Sequence, residues 1–444
     1  MDIITAYSGG GFPSAIGIVR LSGEGTGALL NKIFRAKGEM TPRMMRYGEA
    51  LGRDGKTIDL CMAAYFEEGH SYTGEEMAEI YCHGSQAVVE ELLRAAQKAG
   101  ARLAEAGEFT KRAFLNGKRD LTEAEAVGDL IHATALNQAK AAIDQLSGGI
   151  YKKVSYYYQK INALLAHFYA VCDYTDEDIE PFDYENARDT LIEVTDGLKA
   201  LYETFELGST VKNGLPCAII GRPNSGKSSL LNAILGYERA IVTEEEGTTR
   251  DTVECTVQIK GTLLRLIDTA GIRDGESKAE RLGIERSIEA AKQAKLVLCV
   301  IDGSAPPTSD DFRSVGVAKD AEKSVLIINK TDKGIRYIDE YGFDTVFYVS
   351  AKTGEGIGEL MKYLGSLVKY NDSETIITSS RQAYLLEKAY DCLYEAEISA
   401  RIGQTADAFL SDAEAGLAYL GDVLGKTPSK DMLDEIFSKF CVGK

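Results

Sequence analysis

The residues with the most evident chemistry are a glycine-rich run that ends in a lysine and two hydroxyl residues. It fits the pattern GxxxxGK[ST] and reads Gly221-Arg222-Pro223-Asn224-Ser225-Gly226-Lys227-Ser228-Ser229. In such a loop backbone N–H groups point at phosphate, Lys227 reaches the outer phosphates and the Ser228 hydroxyl can bind Mg²⁺. An apolar strand at 217–220 precedes the run and an apolar helix start at 229–235 follows it. This context favours a phosphate-binding loop over a chance glycine-rich turn.

Two segments downstream can complete the contacts to Mg²⁺ and the γ-phosphate. The first is a switch segment whose Thr249 can complete the Mg²⁺ shell, and it reads Gly247-Thr248-Thr249-Arg250-Asp251. The second follows an apolar strand at 263–267 and reads Asp268-Thr269-Ala270-Gly271. An Asp after a strand can hold Mg²⁺ through water, and the neighbouring Gly can offer its N–H to the γ-phosphate.

Two later motifs predict which base the site accepts. Strand 324–328 leads into Asn329-Lys330-Thr331-Asp332, and strand 346–349 leads into Ser350-Ala351-Lys352. The Asp332 carboxylate can accept two N–H bonds from guanine, which adenine cannot supply, and the second motif backs the base. Five motifs in this order predict a Ras-like P-loop GTPase domain.

Composition bounds the remaining possibilities. The chain has 444 residues, which suggests about three domains, and 44% hydrophobic residues, which is ample for buried cores. No apolar run approaches the roughly 18 residues of a membrane span and no signal peptide opens the sequence, so we expect a cytoplasmic protein. The eight cysteines lack metal-ligand spacing, and a net charge of −18 argues against general nucleic-acid affinity.

The elements around these motifs suggest an α+β domain at residues 1–118. Helical periodicity predicts helices at 25–34 and 85–99, and apolar runs predict strands at 15–21, 60–66 and 77–81. Four polar residues are expected at the ends of these elements, namely Arg20, Glu79, His83 and Lys118. For His83 alone, a surface or structural role is favoured over catalysis.

Helical patterns flank the GTPase domain on both sides. We predict a helical domain in two parts, 119–212 and 371–444, with the GTPase domain, 213–370, inserted between them. The second part should contain helices at 381–402, 405–424 and 428–440. Expected helix starts are a capping box at Thr122 and Glu125 and an N-cap at Thr427 followed by Pro428.

The chain resembles the MnmE (also called TrmE) family of tRNA-modifying GTPases over essentially its whole length. Beyond the GTPase motifs, the likeness rests on residues 13–23, 72–76, 107–116, 120–126 and the terminal Cys441-Val442-Gly443-Lys444. In the family the N-terminal domain binds a tetrahydrofolate derivative (5,10-methylene or 5-formyl) and forms a homodimer. The resemblance places folate contacts at Arg20, Glu79, Lys118 and Lys444, and a functional thiol at Cys441. Val442 stands where isoleucine is expected, a volume-tolerant difference.

The resemblance also implies a reaction and its partners. The family works with the FAD-dependent flavoprotein MnmG, in a heterotetramer. Together they add an aminomethyl or carboxymethylaminomethyl group to C5 of the wobble uridine of certain tRNAs. The one-carbon unit comes from methylenetetrahydrofolate, and the modification needs GTP hydrolysis.

The GTPase motifs lack one common feature. Ile272 stands where Ras-like proteins place the glutamine that orients water, and an apolar side chain cannot do this. By resemblance, a K⁺ ion held by Asn224, Thr243, Glu245 and Thr248 supplies the charge of an arginine finger, and Glu280 is the catalytic residue that orients water. Glu245 would offer its backbone carbonyl, while Glu244 and Glu246 add negative charge nearby.

Two other functions are alternatives for this sequence. A GTPase switch for ribosome or ribonucleoprotein assembly would share the motifs, but it predicts a basic RNA-binding appendage that the acidic helical segments do not provide. A folate-dependent aminomethyltransferase without GTP conflicts with the complete guanine and Mg²⁺ motifs.

Overall fold

The computed structural model describes residues 2–173, 180–237, 255–267, 289–336, 339–371, 374–402, 406–426 and 428–443. These residues form two compact units, each assembled from separate stretches of chain. The first contains Met1–Gly128, Gln145–Leu191 and Cys392–Lys444, and the second contains Asp129–Asp144 and Ile192–Asp391. Within the described ranges, none of the helices is both long and apolar enough to cross a membrane.

The first unit opens with a seven-stranded sheet. Its strands are β1 (Ile4–Tyr7), β2 (Ser14–Ser22), β3 (Phe34–Ala36), β4 (Arg46–Leu51), β5 (Thr57–Phe66), β6 (Met77–Gly84) and β7 (Arg102–Leu103). They lie in the order β3-β4-β5-β6-β2-β1-β7, and every pair is antiparallel except β1 with β7. The predicted α+β architecture of this region is confirmed.

Three helices accompany this sheet, namely α1 (Thr26–Ile33), α2 (Gln86–Ala99) and α3 (Glu108–Leu115). Buried residues of α1 and α2, including Leu30 and Leu92, pack on strand residues such as Val19 and Ile80. The expectation that Arg20 and Glu79 end their elements is wrong, because they lie inside β2 and β6 and face each other across the ladder. Their polarity suits the sheet face that α1 and α2 leave uncovered.

The second face of this sheet carries apolar side chains that remain exposed. Ile16 is 65% exposed, Leu60 51%, Tyr47 43% and Met62 39%. Tyr47 pairs with Met62, and Met62 pairs with Tyr81, so part of this surface forms a continuous row across β4, β5 and β6. We call the surface formed by Ile16, Tyr47, Leu60 and Met62 the open sheet face.

Among the described residues of 121–213 the secondary structure is helical, as the periodicity predicted. The helices are α4 (Leu121–His132), α5 (Leu136–Leu146), α6 (Gly149–Asp173), α7 (Tyr184–Tyr202) and α8 (Phe205–Asn213). The predicted capping box at Thr122 and Glu125 is wrong. Asp120 Oδ1 instead accepts from Glu123 N at 2.8 Å, and Glu123 Oε2 accepts from Asp120 N at 3.2 Å. The carboxylate of Asp120 therefore caps the helix two residues earlier than expected.

Three helices lie near the end of the chain: α12 (Ser380–Arg401), α13 (Ala406–Leu424) and α14 (Lys430–Ser438). Helices α13 and α14 belong to the first unit, as does the second half of α12. Helix α13 packs along α6, and Phe182 stacks on Phe409 with ring centroids 6.1 Å apart. Helices from before and after the nucleotide motifs therefore share one bundle, as predicted. The predicted N-cap pair Thr427-Pro428 is wrong, because Ser429 caps α14 and its hydroxyl accepts from Met432 N at 3.2 Å; Thr427 itself lies outside the described residues.

The second unit holds a six-stranded sheet that positions the nucleotide motifs. Its strands are β8 (Leu215–Ile220), β9 (Cys255–Ile259), β10 (Thr262–Leu266), β11 (Leu296–Asp302), β12 (Lys323–Asn329) and β13 (Val346–Tyr348). They lie in the order β13-β12-β11-β8-β10-β9, all parallel except for the antiparallel edge strand β9. Helices α9 (Lys227–Tyr237) and α11 (Ile357–Ser366) pack with one buried cluster, and α10 (Ser309–Lys319) with the other. The carboxyl ends of parallel strands meet at one edge, where ligands bind in such sheets.

Candidate functional site

The glycine-rich run forms the turn between β8 and α9. Gly221 and Gly226 have φ of +152° and +99°, and Asn224 is left-handed at φ +61°. A Cβ on Gly226 would lie 2.1 Å from Asn329 Nδ2, so only glycine allows the loop to approach β12 this closely. The loop backbone therefore leads into the N-terminus of α9, where helix N–H groups can face an anion.

Lys227 begins α9 and folds back over the loop. Its Nζ donates to Gly221 O at 2.8 Å and to Arg222 O at 2.9 Å. Burial lowers the pKa of Lys227 from its ordinary value. The ammonium thus rests on carbonyls of the phosphate loop itself, from which it can turn to phosphate oxygens.

The guanine motif is joined to this loop through Asn329. Its Nδ2 donates to Ser225 O at 3.0 Å, and its Oδ1 accepts from Ala351 N at 3.1 Å. From the end of β12, one side chain thus holds both the phosphate loop and the loop after β13 in place. Because Asn329 is buried, these bonds are shielded from water.

Asp332 is held by the last of the predicted motifs. Ser350 Oγ donates to Asp332 Oδ1 at 2.8 Å, and Thr353 N donates to the same hydroxyl at 3.2 Å. This chain of bonds orients the carboxylate, whose remaining lone pairs can accept two N–H groups of a guanine base. Lys352 is exposed in the same loop.

Two charged side chains to which the sequence motifs assigned no role lie beside this site. Asp302 ends β11, and its Oδ2 accepts from Lys330 Nζ at 2.7 Å. Arg222 of the phosphate loop lies 3.8 Å from the same carboxylate oxygen. The apolar run at 296–301 followed by an acid was the available signal, since it predicts a buried strand that ends in a carboxylate.

The phosphate and guanine motifs therefore converge, and the rest of the predicted nucleotide site lies outside the described residues. Asn224, Ser228 and Ser229 are exposed at the loop, and Ser225 is buried. Twelve of the residues predicted for the nucleotide site lie outside the described residues: Thr243, Glu244, Glu245, Glu246, Gly247, Thr248, Thr249, Asp268, Thr269, Ala270, Gly271 and Glu280. The Mg²⁺ and K⁺ sites are thus represented by Ser228 and Asn224 alone.

A second cluster surrounds Arg20 in the first unit. Arg20 Nε donates to Glu79 Oε1 at 2.8 Å, and both side chains are largely buried, at 16% and 11% exposure. Tyr81 OH donates to the other oxygen of Glu79. Burial, aided by this bond to Glu79, raises the pKa of Tyr81 to about 12. Arg20 is thus fixed with part of its guanidinium unengaged by Glu79.

The end of the chain comes to the same place. Gly443 O accepts from Ser8 Oγ at 2.6 Å and lies 3.4 Å from Arg20 Nη1, which donates to it. Val442 forms an antiparallel bridge with Ala106, and the adjacent Cys441 is exposed. The predicted residues Arg20, Glu79 and Cys441 thus belong to one region, while Lys444 lies outside the described residues.

The remaining predicted residue, Lys118, is linked to this region through the loop at 67–76. Lys118 Nζ donates to Gly69 O at 2.8 Å. Tyr72, farther along that loop, lies under Arg20 and Arg119, whose guanidinium carbons are 5.9 and 5.3 Å from its ring centre. Tyr72 therefore links Arg20 to the loop that Lys118 contacts, a position that no sequence motif predicted.

Comparison with known proteins gives two family matches that together span almost the whole chain. The family model for the MnmE helical domain matches residues 121–441, and that for the GTP-binding protein TrmE N-terminus matches residues 3–118. Among solved structures, the G domain of the T. maritima FeoB iron transporter matches with 26% identity. It covers 34% of this chain and 96% of that structure, with a TM-score of 0.26.

Relatives match over their full length. A tRNA modification GTPase MnmE from Aquifex aeolicus (strain VF5) is 42% identical over 436 residues, covering 97% of each chain. A protein of the same name from Clostridioides difficile (strain 630) is 38% identical, covering 100% of this chain and 99% of the relative. The chain belongs to the MnmE family of tRNA modification GTPases.

Proposed function

We propose that the chain hydrolyses GTP and that this reaction serves the modification of tRNA. Membership of the MnmE family supports the pairing of the two activities. The observation that supports GTP hydrolysis is the convergence of Lys227, Asn329 and Asp332 at the carboxyl ends of the parallel strands of one sheet. Lys227 binds the outer phosphates, Asn329 spaces the loops and Asp332 selects guanine.

The direct test removes the phosphate-binding charge. Lys227→Ala should abolish GTP turnover in the purified protein, because the variant lacks the ammonium that binds the outer phosphates. The carbonyls of Gly221 and Arg222, which this ammonium contacts, carry no positive charge. Lys362→Ala on α11 is the matched control and should keep wild-type turnover. Normal turnover in Lys227→Ala would remove the phosphate loop from the reaction.

Two metal ions belong to this proposal. Mg²⁺ would be held by Ser228 and Thr249, and K⁺ by Asn224, Thr243, Glu245 and Thr248. The exposed, left-handed Asn224 fits a cation ligand, because its side chain is not buried in the loop. Mg²⁺ neutralises phosphate charge, and K⁺ would supply the positive charge that an arginine finger provides elsewhere. Glu280 would orient water.

The modification chemistry is proposed from the family and from the Arg20 region. A tetrahydrofolate derivative would bind at Arg20, Glu79, Lys118 and Lys444, and would supply one carbon to C5 of the wobble uridine of certain tRNAs. An FAD-dependent MnmG-type partner would join the chain in a heterotetramer in the cytoplasm. The largely buried guanidinium of Arg20 supports this site, since it suits an anionic group such as the glutamate tail of folate.

We also propose a homodimer that buries the open sheet face. Ile16, Tyr47, Leu60 and Met62 give this face an apolar character that is uncommon for a surface exposed to water. The occupant is a second copy of the chain, because a two-fold axis lets the same apolar face cover itself. Met62→Glu should convert the dimer to monomer in sedimentation analysis, whereas Phe312→Glu, an exposed apolar residue of the other unit, should leave it intact. A dimeric Met62→Glu protein would place the interface elsewhere.

The alternative is a GTPase switch for ribosome or ribonucleoprotein assembly. Mass spectrometry of tRNA from cells that lack their own family member separates the two. Expression of this chain should restore the C5 modification of the wobble uridine. A ribosome-assembly defect corrected without any change in that nucleoside would favour the alternative.

A further inference from the structure

Four charged side chains form a connected group behind the phosphate loop. Asp302 accepts from Lys330 at 2.7 Å and lies 3.8 Å from Arg222 Nη2. Arg222 Nε in turn lies 3.2 Å from Asp311 Oδ2, a fully buried carboxylate. The group links the phosphate loop, the end of β11, the guanine motif and the start of α10.

The same group reaches the backbone of Asn224. Lys330 Nζ donates to Asn224 O at 2.6 Å while it also donates to Asp302. Both Asn224 and Lys330 are left-handed, with φ of +61° and +68°. Such conformations are strained in residues other than glycine and persist where surrounding contacts fix them. Lys330 joins the two left-handed residues directly, because it is one of them and its ammonium contacts the backbone of the other.

Asp302 fixes that lysine. Burial would raise the pKa of Asp302, but the hydrogen bonds from Lys330 and Ser304 outweigh it and lower the pKa below its ordinary value. The carboxylate is therefore charged at neutral pH and attracts both Arg222 and Lys330. Asp311 is the nearer carboxylate to Arg222, at 3.2 Å, but its Oδ2 also accepts from Thr308 N at 2.9 Å and Thr308 Oγ1 at 3.0 Å, which ties it to the start of α10. Asp302 is the carboxylate that bonds Lys330.

We propose that Asp302 is a positioning residue for the nucleotide site: by holding Lys330 and Arg222 together, it sets the placement of Asn224 and couples guanine recognition to the phosphate loop. This inference rests on the proposed GTPase function. It assigns to Asp302 no contact with the nucleotide. Its effect should appear in the affinity for guanine nucleotide and, through Asn224, in the affinity for K⁺.

The test compares Asp302→Asn with wild type in the full-length chain. The amide keeps the size of the side chain but removes the negative charge that lies between the Lys330 ammonium and the Arg222 guanidinium. We expect about tenfold weaker binding of fluorescent GDP and a K⁺ activation midpoint raised to a similar degree. At saturating GTP and K⁺, kcat should stay within about twofold of wild type, since no group that touches the nucleotide is lost.

Two variants control for effects on folding. Asp320→Asn, at the exposed end of α10, makes the same charge change away from the loop and should behave as wild type. Asp302→Glu keeps the carboxylate and should retain most of the GDP affinity, even where Asp302→Asn proves unstable. A general structural defect would lower kcat through a smaller active fraction and would leave both midpoints unchanged.

The outcomes separate this inference from the proposed function. Wild-type GDP affinity and K⁺ midpoint in Asp302→Asn would overturn the role of Asp302 and leave the GTPase proposal standing. Loss of affinity in Asp302→Glu equal to that in Asp302→Asn would also overturn it, because charge would then be irrelevant. A wild-type protein that fails to bind GDP would overturn both.

Discussion

Gly226→Ala tests whether the close approach of the phosphate loop to β12 is required. The added Cβ would lie 2.1 Å from Asn329 Nδ2 and would sit on a residue with φ of +99°. The amide must move, so its bonds to Ser225 O and Ala351 N are lost. The positive φ costs about 1–3 kcal/mol, and the buried polar groups left without partners cost about 1–3 kcal/mol.

Together these effects disfavour the loop conformation by about 2–6 kcal/mol, so GDP affinity should fall at least about 30-fold. The assay is equilibrium binding of fluorescent GDP, accompanied by thermal unfolding. Gly316→Ala is the matched control, because a Cβ there meets nothing within 4 Å and replaces glycine inside α10. It should keep GDP affinity and stabilise the helix by about 0.5–1 kcal/mol. GDP affinity of Gly226→Ala within threefold of wild type would refute the reasoning.

Three other substitutions probe separate parts of the account. Asp332→Asn should weaken GDP binding by about 100-fold and favour xanthine nucleotides in competition binding, since two charge-assisted hydrogen bonds to the base are lost; unchanged base preference would contradict this. Glu280→Ala should keep GTP affinity while kcat falls about 100-fold, as expected for a residue that orients water; an unchanged kcat would exclude it from the reaction. Arg20→Ala should weaken folate binding about tenfold in titration calorimetry and leave GTP turnover unchanged, because its partners Glu79 and Gly443 lie in the first unit; normal folate binding would place that ligand elsewhere.

Motifs at strand ends were predictable from the sequence because each combines characteristic polar residues with a preceding apolar strand. Lys227, Asn329 and Asp332 each follow a short apolar run, and parallel strands necessarily bring their carboxyl ends to one edge. The same logic was available for Asp302, whose strand is the most completely buried of the sheet. It was missed because no motif drew attention to the run at 296–301.

Contacts between distant stretches of chain could not be predicted in the same way. The bond from Arg20 to Gly443 spans 423 residues, and nothing in local periodicity specifies such a pair. The helix starts were mispredicted for a different reason: Asp120 and Ser429 stand two residues from the predicted caps Thr122 and Thr427, and Asp, Ser and Thr are all favoured at this position.

The most direct test of the central claim is the rate of GTP hydrolysis in KCl and in NaCl at equal ionic strength. A cation held at Asn224 should be selected by size, so we expect strong stimulation of hydrolysis by K⁺ and little by Na⁺. Equal rates in the two salts would contradict the K⁺ mechanism, and the charge needed near the transferred phosphate would have to come from another residue.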